Sequence, residues 1–173
     1  MKFKCACCNE EIEGIPTFGW DYPLFYLNVP KEKRNEEVFL TEDLCVIADR
    51  WFFVRGCLEI PVIGEEEPFV WGLWVSLSES EFFEFQDLLG VEKRSGYGPY
   101  VGWLSAAIAL YPDTENLKAI VHIRDNGIRP SIELEKNGHP LAQEQEHGIT
   151  LNRLAEIYAC MVHKQCPEVQ ENW

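Results

Sequence analysis

Cys5-Ala6-Cys7-Cys8, at the start of the chain, has a Cys-x-x-Cys spacing that lets two thiolates reach one zinc ion from a single tight turn. Two thiolates are half of a structural zinc site, because such sites close a tetrahedron with four protein ligands. The other ligands must come from distant positions, and Cys45 and Cys57, which flank the start of a long strand, are the candidates. On this reading Cys5, Cys8, Cys45 and Cys57 hold zinc. The alternative is four thiols packed as small hydrophobes, the usual behaviour of free cysteine. A redox role for the same motif needs a helix directly after it to depress a thiol pKa, and Gly14 and Pro16 follow too soon.

Three further groups carry reactive side chains. Cys160 and His163 fall on neighbouring faces of a terminal helix, with Cys166 at its frayed end before Pro167. Two ligands without a third do not hold zinc, so this group is expected to lie partly exposed and to form no site. His139, Glu144 and His147 supply two imidazoles and a carboxylate within a short polar stretch, a combination suited to general acid–base work. Neither a Gly-x-Ser-x-Gly elbow nor an HExxH helix accompanies them, and a helix-capping surface is the competing reading. The run from Ser95 to Trp103 is rich in glycine and aromatics, so Tyr97, Tyr100 and Trp103 are candidate partner contacts or else core aromatics entering a strand. It lacks the Gly-Lys-Ser/Thr of a phosphate loop.

The elements that must position these groups can be read from periodicity. Between Trp51 and Ile63, Phe52, Val54, Leu58 and Ile60 alternate with more polar positions, as in a half-buried strand. After the polar turn Gly64–Pro68, Phe69, Trp71, Leu73, Val75 and Leu77 alternate again, predicting a hairpin. Ser78 and Glu81 form a capping box for a helix from about Glu79 to Leu89. Asn126-Gly127 tolerates the positive φ angles of a two-residue turn. With that turn Ile123 faces Pro130, Val121 faces Ile132, Ala119 faces Leu134 and Lys118 faces Glu135; a one-residue slip would scatter the apolar set over both faces. Thr150 caps a last helix whose stripe is Leu151, Leu154, Ile157, Tyr158 and Met161. Residues 9–37, rich in proline, glycine and charge, are expected to be irregular, with one short helix starting at Pro30.

Two hairpins and two or three helices without strand–helix–strand alternation predict an α+β fold, a mainly antiparallel sheet with the helices on one face. The chain reads as one domain over 1–173, an irregular N-terminal wrap with a zinc-knuckle-like turn (1–37) and an α+β core (38–173). With 29 acidic against 15 basic residues and a net charge of -14, the chain repels phosphate backbones, which argues against nucleic-acid binding. The same field suits a protein partner with a basic surface. No run of 18 apolar residues occurs and the start lacks the apolar stretch of a signal peptide, so the expected location is the cytoplasm, away from membranes. The seven cysteines are accordingly read as buried, metal-binding or reactive thiols rather than disulfides.

Several segments resemble a bacterial family known only as a domain of unknown function (number 2199): Phe52–Pro61, Glu67–Gly72, Gly102–Ser105 and His139–Ala142. The resemblance runs from Cys5 to the last helix and implies a small bacterial cytosolic protein without an established activity, so it brings no catalytic residue. The family opens with Cys-x-x-Cys-Gly-x-x-His, part of a zinc knuckle. Cys5 and Cys8 match, Asn9 and Ile12 replace the Gly and His, and Cys45 and Cys57 stand where the family has cysteine. The expected function is a non-enzymatic binding or regulatory module of acidic surface with zinc as its structural metal. The alternative is a metal-dependent or His/Glu acid–base hydrolase built on His139, Glu144 and His147, with Cys57 beside them.

Overall fold

The computed structural model describes residues 1–166 of the chain. The N-terminal segment holds three short strands, β1 (Lys2–Lys4), β2 (Glu11–Glu13) and β3 (Thr17–Gly19), where irregular backbone was expected. Two 3-10 turns follow, the second directly after Pro30, and lead to the short helix α1 (Arg34–Glu37). Then come β4 (Val38–Leu40), β5 (Leu44–Ile47), the long strands β6 (Trp51–Ile60) and β7 (Phe69–Leu77), and helix α2 (Glu79–Asp87). Strands β8 (Tyr100–Leu104), β9 (Lys118–His122) and β10 (Ser131–Leu134) precede helices α3 (Pro140–His147) and α4 (Leu151–His163).

β6 and β7 pair antiparallel from Phe52 opposite Leu77 to Ile60 opposite Phe69, the hairpin that the alternation predicts. Their inward residues, Val54, Leu58, Ile60, Leu73 and Val75, are fully buried, each contributing about 1.5–3 kcal/mol of apolar transfer free energy. Part of the outer face is buried as well. Phe53 and Trp74 join Cys45, Ile47 and Val29 in a second apolar cluster covered by Phe25 and Tyr26. The Trp74 indole N–H donates to the Trp20 carbonyl at 2.9 Å, so the deepest polar atom of that cluster is satisfied.

The sheet is not the open one with helices on a single face that the sequence suggested. Strands β6, β7, β8, β9 and β10 close into a five-stranded barrel, with β10 returning to β6 in parallel at Ser131 opposite Cys57. The outer edge of β6 is shared: its first half takes β5 and its second half takes β10. The far edge of β7 is shared in the same way, β3 pairing along Val70–Gly72 and β8 along Val75–Ser76. Partners that diverge from one strand force the sheet to curl, and α2 and α3 pack on β6 while α4 packs on β1. Period-two patterning gives the inward and outward faces of each strand but carries no information on which distant edges meet.

The Asn-Gly hairpin has the predicted register. Val121 pairs with Ile132 and Ala119 with Leu134, and Lys118 bonds Glu135 at 2.7 Å on the outside. Asn126 and Gly127 take φ angles of 57° and 69°, the left-handed values such a turn demands. Arg94 is buried at 2 % exposure and locks this turn to α2: its guanidinium donates to the carbonyls of Leu88, Arg124 and Ile128. Both expected caps are present, the Ser78–Glu81 box on α2 and the Thr150 hydroxyl accepting from the Arg153 N–H on α4.

Closing a barrel with five strands curls it tightly and crowds neighbouring strands, and glycine marks two of the close approaches, β6 to β10 and β7 to β8. A Cβ on Gly56 would stand 2.8 Å from the Ile132 side chain, and one on Gly102 only 2.0 Å from the Ser76 carbonyl oxygen. Gly102→Ala is therefore expected to lower the unfolding free energy by about 3 kcal/mol, the upper end for overpacking a filled core. Gly90→Ala, where an added Cβ meets nothing within 4 Å, should stay within about 0.5 kcal/mol. Urea denaturation followed by tryptophan fluorescence measures both, and equal midpoints would contradict the account.

Candidate functional site

The β1–β2 hairpin presents the Cys-x-x-Cys motif on its connecting loop. The loop is closed by the Cys5 N–H donating to Glu10 at 2.9 Å and the Asn9 N–H donating to the Cys5 carbonyl at 3.1 Å. Asn9 sits at φ 60°, a left-handed conformation that asparagine tolerates better than other non-glycine residues. Cys5 is buried, Cys7 half-buried and Cys8 exposed, all on one short turn.

The terminal helix brings an imidazole to this turn. Tyr158 of α4 packs edge-on against Phe3 of β1 and against Phe18 of β3, and its other side meets the His163 ring at 5.9 Å. That stack aims His163 at the cysteines: its Nε2 lies 3.7 Å from Cys8 Sγ, and Cys5 Sγ lies 3.4 Å from Cys7 Sγ. Donor atoms of Cys5, Cys7, Cys8 and His163 all fall within 4.8 Å of one another.

These separations suit a tetrahedral zinc ion, since metal–sulfur bonds of about 2.3 Å and metal–nitrogen bonds of about 2.0 Å place the ligand atoms roughly 3.5–3.8 Å apart. The thiol chemistry agrees. Burial opposes ionisation of Cys5, but the backbone N–H groups of Cys7 and Cys8 and the neighbouring thiols outweigh it and hold its pKa below the ordinary thiol value. Cys7 moves the other way, pushed up to about 11 by desolvation and by the sulfur of Cys5. Crowded thiols resist a second negative charge, and a bound divalent cation removes that resistance.

Cys45 and Cys57 are not in this group. Cys45 is fully buried beside Phe53 and Trp74, with its thiol pushed up to about 12 by burial, and Cys57 lies within β6 opposite Gly72. The donors that gather beside Cys5 and Cys8 are Cys7 and His163, not the Cys45 and Cys57 expected from the sequence. The terminal group expected to form no site, for want of a third ligand, contributes His163 here, because its partners come from the opposite end of the chain. Its neighbours Cys160 and Cys166 form a disulfide where reduced thiols were expected; Pro167 lies outside the described residues.

Residues 4–149 match the family described as "uncharacterized protein conserved in bacteria" (DUF2199). The chain belongs to this family. Comparisons with curated proteins and with solved structures returned no match. Asn9 takes a left-handed conformation at φ 60°, Ile12 packs its side chain onto the core from β2, and His163 lies beyond the matched span.

His139, Glu144 and His147 do not assemble. His139 is the N-cap of α3, its Nδ1 accepting from the Leu141 N–H at 3.2 Å, and His147 ends the same helix about 12 Å along the axis, facing solvent. Glu144 is held between the Tyr111 hydroxyl at 2.5 Å and the Arg153 guanidinium at 2.8 Å. That trio, with Tyr111 buried and Glu144 and Arg153 partly so, was not revealed by the sequence and fixes α3 to α4. Burial, followed by the Glu144 charge, pushes the Tyr111 hydroxyl far above the ordinary phenol range, so it stays protonated and donates to Glu144. The depression of about 410 Å³ beside His139 is lined by Pro112, Asp113, Asn137, Gly138 and Pro140, and holds neither Glu144 nor His147.

The aromatic loop divides. Tyr100 points into the barrel at 3 % exposure and donates its hydroxyl to Glu84, so it is a core residue and not a contact. Tyr97 and Trp103 are 49 % and 48 % exposed. Trp103 and Val101 line a groove of about 620 Å³ with Trp51, edged by Asp49, Arg50, Glu79 and Glu81.

His139 yields a pH prediction. Its Nε2 is enclosed without a hydrogen bond of acceptable geometry. Desolvation lowers its pKa from 6.5, with the nearby carbonyls of Pro112 and Asp113 opposing. A lowered folded-state value means that the unfolded chain binds more protons, so stability present above pH 6.5 is lost as the pH falls through the folded-state value. His139→Asn keeps a capping side chain and removes the titration. The wild-type melting temperature should fall from pH 7.5 to pH 5 by more than that of the variant; parallel curves would refute the assignment.

Proposed function

We propose that this chain is a non-enzymatic binding module in which zinc, held by Cys5, Cys7, Cys8 and His163, fastens the N-terminal hairpin to the terminal helix. Its acidic outer surface receives a protein partner with a basic face. The observation that carries the metal reading is the convergence of three thiols and an imidazole within 4.8 Å, from residues separated by most of the chain. Thiolate and imidazole donors favour zinc over the hard cations magnesium and calcium. A zinc ion there supplies a cross-link, which adds its binding free energy to folding. Cys5 and Cys8 hold the ion on the loop, Cys7 completes the thiolate side, and Tyr158 orients His163.

Two observations support the binding reading. Among the described residues the three candidates for acid–base chemistry stay apart: His139 caps a helix, Glu144 is held by Tyr111 and Arg153, and His147 faces solvent. The net charge of -14 and the acidic edge of the Trp51–Trp103 groove favour cationic chains carrying apolar groups, because complementary charge speeds encounter and exposed tryptophan supplies rigid contact area.

Protein purified without added metal should contain one zinc per chain by elemental analysis. Cys5→Ser, Cys8→Ser and His163→Ala should each weaken zinc binding by more than the roughly 10–100-fold that changes outside the ligand shell cost, while Cys45→Ser and Cys57→Ser retain it. Metal-free wild type, or zinc retained by all five variants, would sink the metal site.

A further inference from the structure

The corner of the molecule that holds the four donors contains two more sulfurs. Cys160 and Cys166 are joined in a disulfide, and His163 lies at the midpoint of the loop it closes. Within that loop the helix ends on Lys164 in a left-handed conformation at φ 59°. The turn is fastened by the Lys164 N–H on the Cys160 carbonyl at 3.1 Å and the Gln165 N–H on the Ala159 carbonyl at 3.2 Å. Glycine is the residue that adopts this geometry without strain, and lysine is not. The covalent bridge across the turn therefore supplies a constraint that the residue at its apex does not. Cys166 is exposed and lines a depression together with Cys7, whereas Cys160 is buried at 2 % exposure. Five of the seven cysteines thus gather about the ends of one hairpin and one helix.

We propose that the Cys160–Cys166 disulfide is a redox latch on the metal site: closed, it holds the helix end so that His163 faces Cys8, and opened by reduction, it loosens that end and lowers zinc affinity. The proposal rests on the zinc reading of Cys5, Cys7, Cys8 and His163. The reductant is a dithiol. Its thiolate attacks the exposed Cys166 sulfur, the Cys160–Cys166 bond breaks, and Cys160 leaves as a thiolate that takes up a proton. The second thiol of the reductant then displaces Cys166, which is protonated in turn, and the reductant departs as its own disulfide. Two electrons and two protons have passed to the protein. The metal-bound cysteines are held by zinc as thiolates and take no part. The free turn now populates the ligand-ready conformation only fractionally, and the apparent affinity falls by that fraction, about tenfold for one strained left-handed residue.

The test uses the full chain loaded with zinc and titrated with a chromophoric chelator in three forms: disulfide intact by mass spectrometry, reduced with a phosphine, and the double variant Cys160→Ala/Cys166→Ser. The intact form should hold zinc about tenfold more tightly than the other two, with far-ultraviolet circular dichroism unchanged among them. Equal affinities, or tighter binding in the reduced wild type through recruitment of Cys160 or Cys166, would overturn the latch and leave the metal site standing. Failure of all three forms to bind zinc would overturn both.

Discussion

The β6–β7 ribbon is the constraint on which the other elements depend. Nine consecutive residue pairs join the two strands, and both faces of the ribbon are partly buried, one by the barrel interior and the other by Phe25 and Tyr26. Because its two outer edges are each divided between two partners, the ribbon sets where β3, β5, β8 and β10 can lie. A register slip in this pair would move Leu58 and Leu73 out of the interior and Phe53 and Trp74 into it. Neither cluster has room for that exchange, since protein interiors are packed to the density of organic crystals.

The candidate metal centre is placed indirectly by the same ribbon. β3 adds to the edge of β7 and carries Phe18, which contacts Tyr158 of α4, and Tyr158 in turn bears on Phe3 and on the ring of His163. The path from sheet to ligand therefore runs through these aromatic contacts and through the core residues Leu154 and Ile157 that seat α4. A hairpin as small as β1–β2 is marginal in isolation. Its attachment to α4 through Phe3 explains how such a short element can present three sulfurs in fixed positions.

What the sequence made legible was local. The Asn126-Gly127 turn, the β6–β7 alternation, the Ser78–Glu81 box and the Thr150 cap each depend on residues a few positions apart, and each was found as read. Cys5 and Cys8 were found as candidate ligands for the same reason. The barrel closure at Ser131 and Cys57, and the meeting of Cys8 with His163 across 155 positions, depend on packing that no local pattern encodes. Cys45 and Cys57 misled because ligand type was visible and spatial position was not. Arg94 was passed over in a polar stretch, although its burial is satisfied by three carbonyls drawn from two separate turns.

The closeness of Gly102 to Ser76 has a consequence for what the molecule can carry. Barrels of eight strands begin to leave room for a small guest, whereas this one has five strands and needs glycine at Gly56 and Gly102 merely to let its own backbones pass. Its lumen is filled by inward side chains such as Leu58, Leu73 and Val121. What this frame leaves free is its outside, the loops and strand edges that the barrel displays, where sequence can drift without disturbing the packing.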